Sequence, residues 1–153
     1  MTNMKFSFEI KGTKELATNM DKMSKELING LKDALEMAAA LVERYSKEET
    51  PVDMGGLRAS IIPSFRPFEA IIAPHKDYAV FVHEGTRPHF PPVDVIERWA
   101  ARHGMTGAGY AIARAISVRG TKGVPFMEKG LEKAKKEITQ IFEGKIEGVI
   151  KKY

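Results

Sequence analysis

Two apolar stripes at helical spacing bracket this chain, and they constrain its fold more than any other feature. In the first, Leu16, Met20, Met23, Leu27, Leu31, Leu35, Ala38, Val42 and Tyr45 recur at steps of three or four residues. That step lines one face of an α-helix. Thr13 is placed to cap the helix. Thr50-Pro51 stops it, because the residue before a proline is pushed out of the α region. Asn29-Gly30 is a point where it can kink or divide. Ala34–Val42 is apolar over more than half of the circumference, which predicts burial on more than one side, as in a helix also packed against a neighbouring subunit. The second stripe is Met127, Leu131, Ala134, Ile138, Phe142, Ile146 and Val149. Pro125 sits where it can open that helix. Gly130, Gly144 and Gly148 weaken it by about 1 kcal/mol each relative to alanine. Its end is therefore expected to be ordered by contact with something else.

Between the stripes the pattern changes, and one strand precedes the first. Lys5–Lys11 alternates, with Phe6, Phe8 and Ile10 on one side, and Gly12 ends it. Gly55-Gly56 predicts a tight turn. Strands are expected over Leu57–Phe65 and Glu69–Ala73, joined through Pro67. Pro63 cannot donate to a ladder and belongs at an edge or a bulge. Tyr78–Glu84 reads as a strand or as a short helix, closed by Gly85. Three prolines stiffen Arg87–Pro92. Short helices follow over Val93–His103, ended by Gly104, and from about Ala108 to Val118. The expected fold is α+β: a small, mainly antiparallel sheet packed with a long N-terminal helix, two short helices and a C-terminal helix. One domain is expected over residues 1–153. The long helix occupies about 13–49, sheet and loops about 50–92, and the helical C-terminal part about 93–153.

The charge balance is 24 basic against 20 acidic residues, a net of +4. The signs alternate through both long helices, so the excess is spread along the chain. A nucleic-acid-binding module gathers its positive charge, and the nearest approach to a cluster is Arg114, Arg119 and Lys122. The absence of cysteine rules out disulfides, a thiolate nucleophile and cysteine-based zinc sites. The start, Met1–Phe6, lacks the apolar core of a signal peptide. The longest run free of Asp, Glu, Lys and Arg, His103–Ala113, is too short and too glycine-rich to span a bilayer.

Catalytic patterns are weak. His83-Glu84 with His89 invites a metal-dependent hydrolase or nuclease, but Gly85 and Pro88 interrupt the spacing. Zinc hydrolases set two histidines on one helical face, typically at i and i+4. His83 and His89 therefore read as polar residues at loop edges. Ser60 lacks a Gly-x-Ser-x-Gly elbow and falls at an apparent strand start. Gly104–Gly109 follows a helix and lacks a succeeding Lys-Ser/Thr, so it reads as an interhelix turn rather than a phosphate loop. Trp99 with Ile96 reads as core, with Arg98 and Arg102 on the other face. No metal or cofactor is expected.

Three segments dense in residues with special backbone needs remain. They are Pro51-Val52-Asp53-Met54-Gly55-Gly56-Leu57-Arg58-Ala59-Ser60-Ile61, then Tyr78-Ala79 through Val82 to Glu84-Gly85-Thr86, and Gly120-Thr121-Lys122 through Pro125-Phe126. In order and spacing, with Phe90-Pro91-Pro92 and Trp99 between the last two, the chain resembles the tail-completion (head–tail joining, or neck) proteins of long-tailed bacteriophages. Met54 stands where threonine is commonest in that family. The resemblance spans nearly the whole chain. It implies a non-enzymatic assembly part of the virion neck or tail, made in the bacterial host cytoplasm. The implied partners are copies of itself in a ring, a hexamer being the size to look for, the phage connector, and tail-tube or tail-terminator proteins. DNA would be met only by passage through the lumen, and no membrane is involved. The motif residues Pro51, Asp53, Gly55, Leu57, Arg58, Ser60, Tyr78, Glu84, Gly85, Thr86, Gly120, Pro125 and Phe126 are expected to serve structure and assembly. Within them, Asp53 is placed to accept backbone N–H groups in the turn ahead, and Arg58 with Glu84 is an expected ion pair.

Overall fold

The computed structural model describes residues 6–8 and 25–151. The expectations for Ile10, Gly12, Thr13, Leu16, Met20 and Met23 lie outside the described residues. Strand β1 is Phe6–Phe8, and helix α1 runs over Lys25–Glu49. A short helix α2, Gly56–Ala59, precedes strands β2, Ile61–Arg66, and β3, Glu69–Pro74. Helix α3, Ala79–Glu84, leads into β4, Gly85–Thr86. Helices α4, Val93–Arg102, and α5, Gly109–Arg119, precede β5, Thr121–Lys122, and the long α6, Phe126–Ile150. The α+β class is as expected.

The larger sheet is antiparallel in the order β1-β3-β2, which leaves β2 at an edge. Pro63 explains why that edge can be a proline-bearing one. Ile62 pairs with Ala73, Ser64 with Ile71 and Arg66 with Glu69 across the two-residue turn Pro67-Phe68. His75 N–H donates to Ser60 O at 3.0 Å, which continues the same alternation. Even-numbered residues of β2 thus turn their backbone groups to β3, and the missing N–H of Pro63 points outward, where no ladder bond is lost.

Helix α1 lies between the sheet and α6. Leu35, Ala39 and Val42 join Ile61, Ala70 and Ile72 of the sheet and Phe126, Met127 and Ala134 of α6 in one buried cluster. Leu27 and Leu31 extend it against Phe142, Ile146 and Val149. Burial of Ala34–Val42 on more than one side is thus accounted for within the protomer, by sheet and helix together. Asn29-Gly30 does not divide α1; Gly30 is buried inside the unbroken helix. The two long helices are antiparallel neighbours. Lys133 meets Glu49 at one end and Lys145 meets Asp33 at 3.3 Å towards the other. Near the first end, a β-carbon on Gly130 would collide with the backbone of Ser46, so glycine sets how closely the helices approach.

Several boundaries differ from the sequence reading. Leu57–Ala59 is a helical turn, not the start of a strand. Gly55 at φ +79° turns the chain into it, and Leu57 drops into the core. Tyr78–Glu84 resolves as helix from Ala79, which buries Ala79 and His83 on one face. Pro125 caps α6 as expected.

Candidate functional site

The second and third motifs close on one another. Gly85 pairs with Lys122 and Thr86 with Thr121 in a two-rung antiparallel ladder. The hydroxyls of Thr86 and Thr121 lie 3.0 Å apart, and Thr121 N–H donates to Thr86 Oγ1 at 3.1 Å. Val124 N–H donates to Val82 O at 2.9 Å. Gly85 and Gly120 hold φ of +86° and +69°. A β-carbon on Gly85 would strike the carbonyl of Thr121, and one on Gly120 that of Thr86. Only glycine meets both demands, a positive φ and a facing backbone in contact.

Beneath this clasp, His83 is buried, with Nε2 2.6 Å from Glu128 Oε2. Its ring stands edge-on to Phe126, centroids 5.1 Å apart. Phe126 is fully buried. The clasp, His83 and Phe126 together fasten α3 to the first turn of α6. His83 is therefore a core residue of a helix, not a polar residue at a loop edge. His89 is exposed, with Nδ1 2.9 Å from Arg87 O. Among the described residues no group of three or more His, Cys, Asp and Glu side chains gathers in a metal-binding arrangement.

The first motif forms the floor of a cleft of about 410 Å³. Its loop, Pro51–Leu57, faces Tyr78 and Val82 of the second motif and Trp99 and His103 of α4. Asp53 does not accept from the turn. It takes both arms of Arg102, Nε to Oδ1 at 2.9 Å and Nη2 to Oδ2 at 2.6 Å. The guanidinium holds the Asp53 carboxyl below its usual range, and the carboxylate in turn raises Arg102. The expected Arg58–Glu84 pair is not formed. Both side chains are exposed, and the bidentate link crosses instead from the first motif to α4. Ser60 caps α2, its hydroxyl donating to Leu57 O at 2.8 Å. Trp99 is 36% exposed and stacks on His103 at 4.3 Å, so it belongs to the cleft wall rather than the core.

The Gly104–Gly109 turn carries an internal carboxylate where a phosphate loop would hold a ligand. Glu97 accepts from Gly107 N–H at 2.5 Å and Gly109 N–H at 2.7 Å. Those two N–H groups keep its carboxyl below the usual range.

A furrow on the outer side of the α1–α6 pair went unread in the sequence. Met37, Ala40, Leu41 and Ile141 line its middle, closed at one end by Arg44 and Glu137. Further along the same two helices lies a second hollow, lined by Glu26, Asn29, Gly30, Asp33, Gly144, Lys145 and Gly148, where the Lys145–Asp33 ion pair links α6 to α1. From Glu26 to Arg44 the two hollows together follow α1 for roughly 27 Å at 1.5 Å per residue. Met37 is 48% exposed. A β-carbon on Gly144 or Gly148 would meet nothing within 4 Å.

These features describe an α+β protein whose unusual residues serve backbone closure and surface shape. Residues 14–85 match the model of the HK97-gp10-like family, described as Bacteriophage HK97-gp10, putative tail-component. The matched segment contains the first motif and the second as far as Gly85, so the resemblance to phage tail proteins rests on those residues and the third motif lies beyond it. No curated protein and no solved structure matches the chain significantly.

Proposed function

We propose that the protein is a virion assembly part that joins head and tail, or completes the tail, at the neck. It works as a closed ring of identical copies and catalyses nothing. The family match to a tail component supports the virion setting. The observation that carries the assembly reading is the α1–α6 furrow, whose apolar middle the other described residues leave uncovered. Exposed apolar surface of this kind marks interaction sites. A ring needs a heterologous contact that closes on itself, and the furrow offers one half of it to a helix of the next copy. The remaining faces meet the connector on one side and the tail tube or tail terminator on the other, with DNA passing through the lumen.

Light scattering across concentration and salt tests this reading. A discrete species of about six or more copies is expected. Met37→Glu with Ala40→Glu, both on the exposed lip of the furrow, should return that species to protomers without lowering the melting temperature. A protomer at every concentration that also fails to join purified connectors or tail tubes overturns the reading.

A further inference from the structure

Signs alternate along the two long helices, but the segment between them concentrates positive charge. Residues 85–125 hold six basic side chains against two acidic ones, a surplus as large as the net charge of the whole chain. Pairing within the segment and with Asp53 then removes both acids and two of the bases. Arg98 pairs with Asp94 at 3.0 Å, Arg102 with Asp53, and Glu97 turns inward to Gly107 and Gly109. Arg87, Arg114, Arg119 and Lys122 remain, all exposed and none in an ion pair with another described residue. On the long helices Lys133, Lys135 and Lys145 each meet a carboxylate, and the bases there are interleaved with acids along the helix.

Three of the four unpaired bases stand on the clasp. Arg87 follows Thr86, Arg119 ends α5 directly before Gly120, and Lys122 faces Gly85 across the ladder. His89 N–H donates to Ile116 O at 3.4 Å and ties the strap after Arg87 to α5. The glycine contacts that close the ladder fix the backbone under these side chains. Beside them Phe81, Pro88 and His89 line an open groove, with Phe90 and Tyr110 in an exposed edge-to-face pair at 6.3 Å.

We propose that this rim binds the phosphate backbone of duplex DNA without reading its sequence. Arginine presents a fork that matches phosphate oxygens, and such contacts position a protein on nucleic acid without specifying bases. An acidic protein partner fits less well. Complementary protein surfaces set positive patches against negative ones and fix register with both signs, whereas of the exposed acids Glu84 and Glu128 near the clasp, Glu128 is turned to His83 and leaves Glu84 beside three bases. The inference goes beyond the assembly reading and stands without it, since a protomer outside any ring carries the same rim.

The test is binding of the full-length protein to short mixed-sequence duplex DNA, followed by fluorescence anisotropy over a salt series. Affinity should fall steeply with salt, as expected when roughly three to four phosphates are neutralised. The triple variant Arg87→Ala, Arg119→Ala, Lys122→Ala should lose tenfold or more at low salt and flatten the log–log salt slope by about two to three. The variant Lys25→Ala, Lys32→Ala, Lys136→Ala, with the same change in net charge, should lose little. Absence of binding at low salt overturns the proposal, and so does an equal loss in both triple variants. Poly-glutamate competing as well as DNA would assign the rim to an acidic protein surface and also overturn it. None of these outcomes alters the assembly mass, so the two readings fail separately.

Discussion

Glycines in two regions of this molecule occupy opposite circumstances. At the clasp, Gly85 and Gly120 press against facing backbone at positive φ, and no other residue fits. Along the furrow, Gly144 and Gly148 sit in an ordinary helix with open space where a β-carbon would stand. The first pair is explained by the protomer itself. The second pair weakens α6, and among the described residues nothing fills the space beside it, which is the space the proposed ring contact would use. One residue type thus marks a closed joint at one end of the fold and an open surface at the other.

The closed joint should be the costlier to disturb. Phe126→Ala removes the fully buried ring against which His83 stands. It should destabilise by about 3–5 kcal/mol, which for a chain of this size lowers the melting temperature by roughly 6–20 °C. Gly120→Ala should cost about 2 kcal/mol or more, because strain at positive φ adds to the collision with Thr86. Gly104→Ala is the sharpening control. Gly104 has φ +74° but open space around it, so only the backbone strain of about 1–2 kcal/mol applies. Equal melting temperatures for the two variants would mean that the clasp yields, and that its glycines are needed for φ alone.

The furrow should respond with the opposite sign. Gly144→Ala with Gly148→Ala should stabilise the isolated protomer by about 1–2 kcal/mol in total, from helix propensity and reduced freedom of the unfolded chain. The same pair should weaken self-association in light scattering, because two methyl groups then occupy the space a neighbouring helix needs. Stabilisation without any effect on association would break the comparison and reduce these glycines to neutral surface positions.

The two regions also differed in how far the sequence disclosed them. Both long helices were legible because three- and four-residue steps report burial directly, and Thr50-Pro51 and Pro125 mark their bounds. The three-stranded sheet followed from alternation, turn residues and Pro63. The clasp was half legible: Gly85-Thr86 and Gly120-Thr121 are the same dipeptide twice, yet nothing local says that segments 35 residues apart pair. Asp53 was singled out and given the wrong partner, because Arg102 lies 49 residues away on a helix whose rotation sequence does not fix. His83 was misplaced for a related reason. Its burial depends on Tyr78–Glu84 being helical, and seven residues of mixed aromatic and β-branched character leave that open. The furrow went unread because the sequence shows an apolar surplus on α1 but not which part of it the sheet and α6 leave uncovered.

The smallest effect expected is at Asp53, which links the first motif to α4 and lies in neither glycine group. Its carboxyl titrates below the usual range when folded, so the contact with Arg102 favours the fold fully above the unfolded carboxylate range. The contribution fades as pH falls through the lowered folded value. Asp53→Asn should therefore melt slightly below the wild-type protein near neutral pH, and the gap should close in acid. Glu49 and Glu97 are also held low, by Lys133 and by backbone N–H groups, and add to the acid loss of both proteins alike. The difference between the two proteins isolates Asp53. Because both partners are partly exposed, added salt should narrow the gap. A gap that persists undiminished in acid would place the effect in the packing of the Pro51–Leu57 loop rather than in its charge. The first motif would then join the clasp as a closed joint held by shape, leaving the furrow as the open member of the comparison.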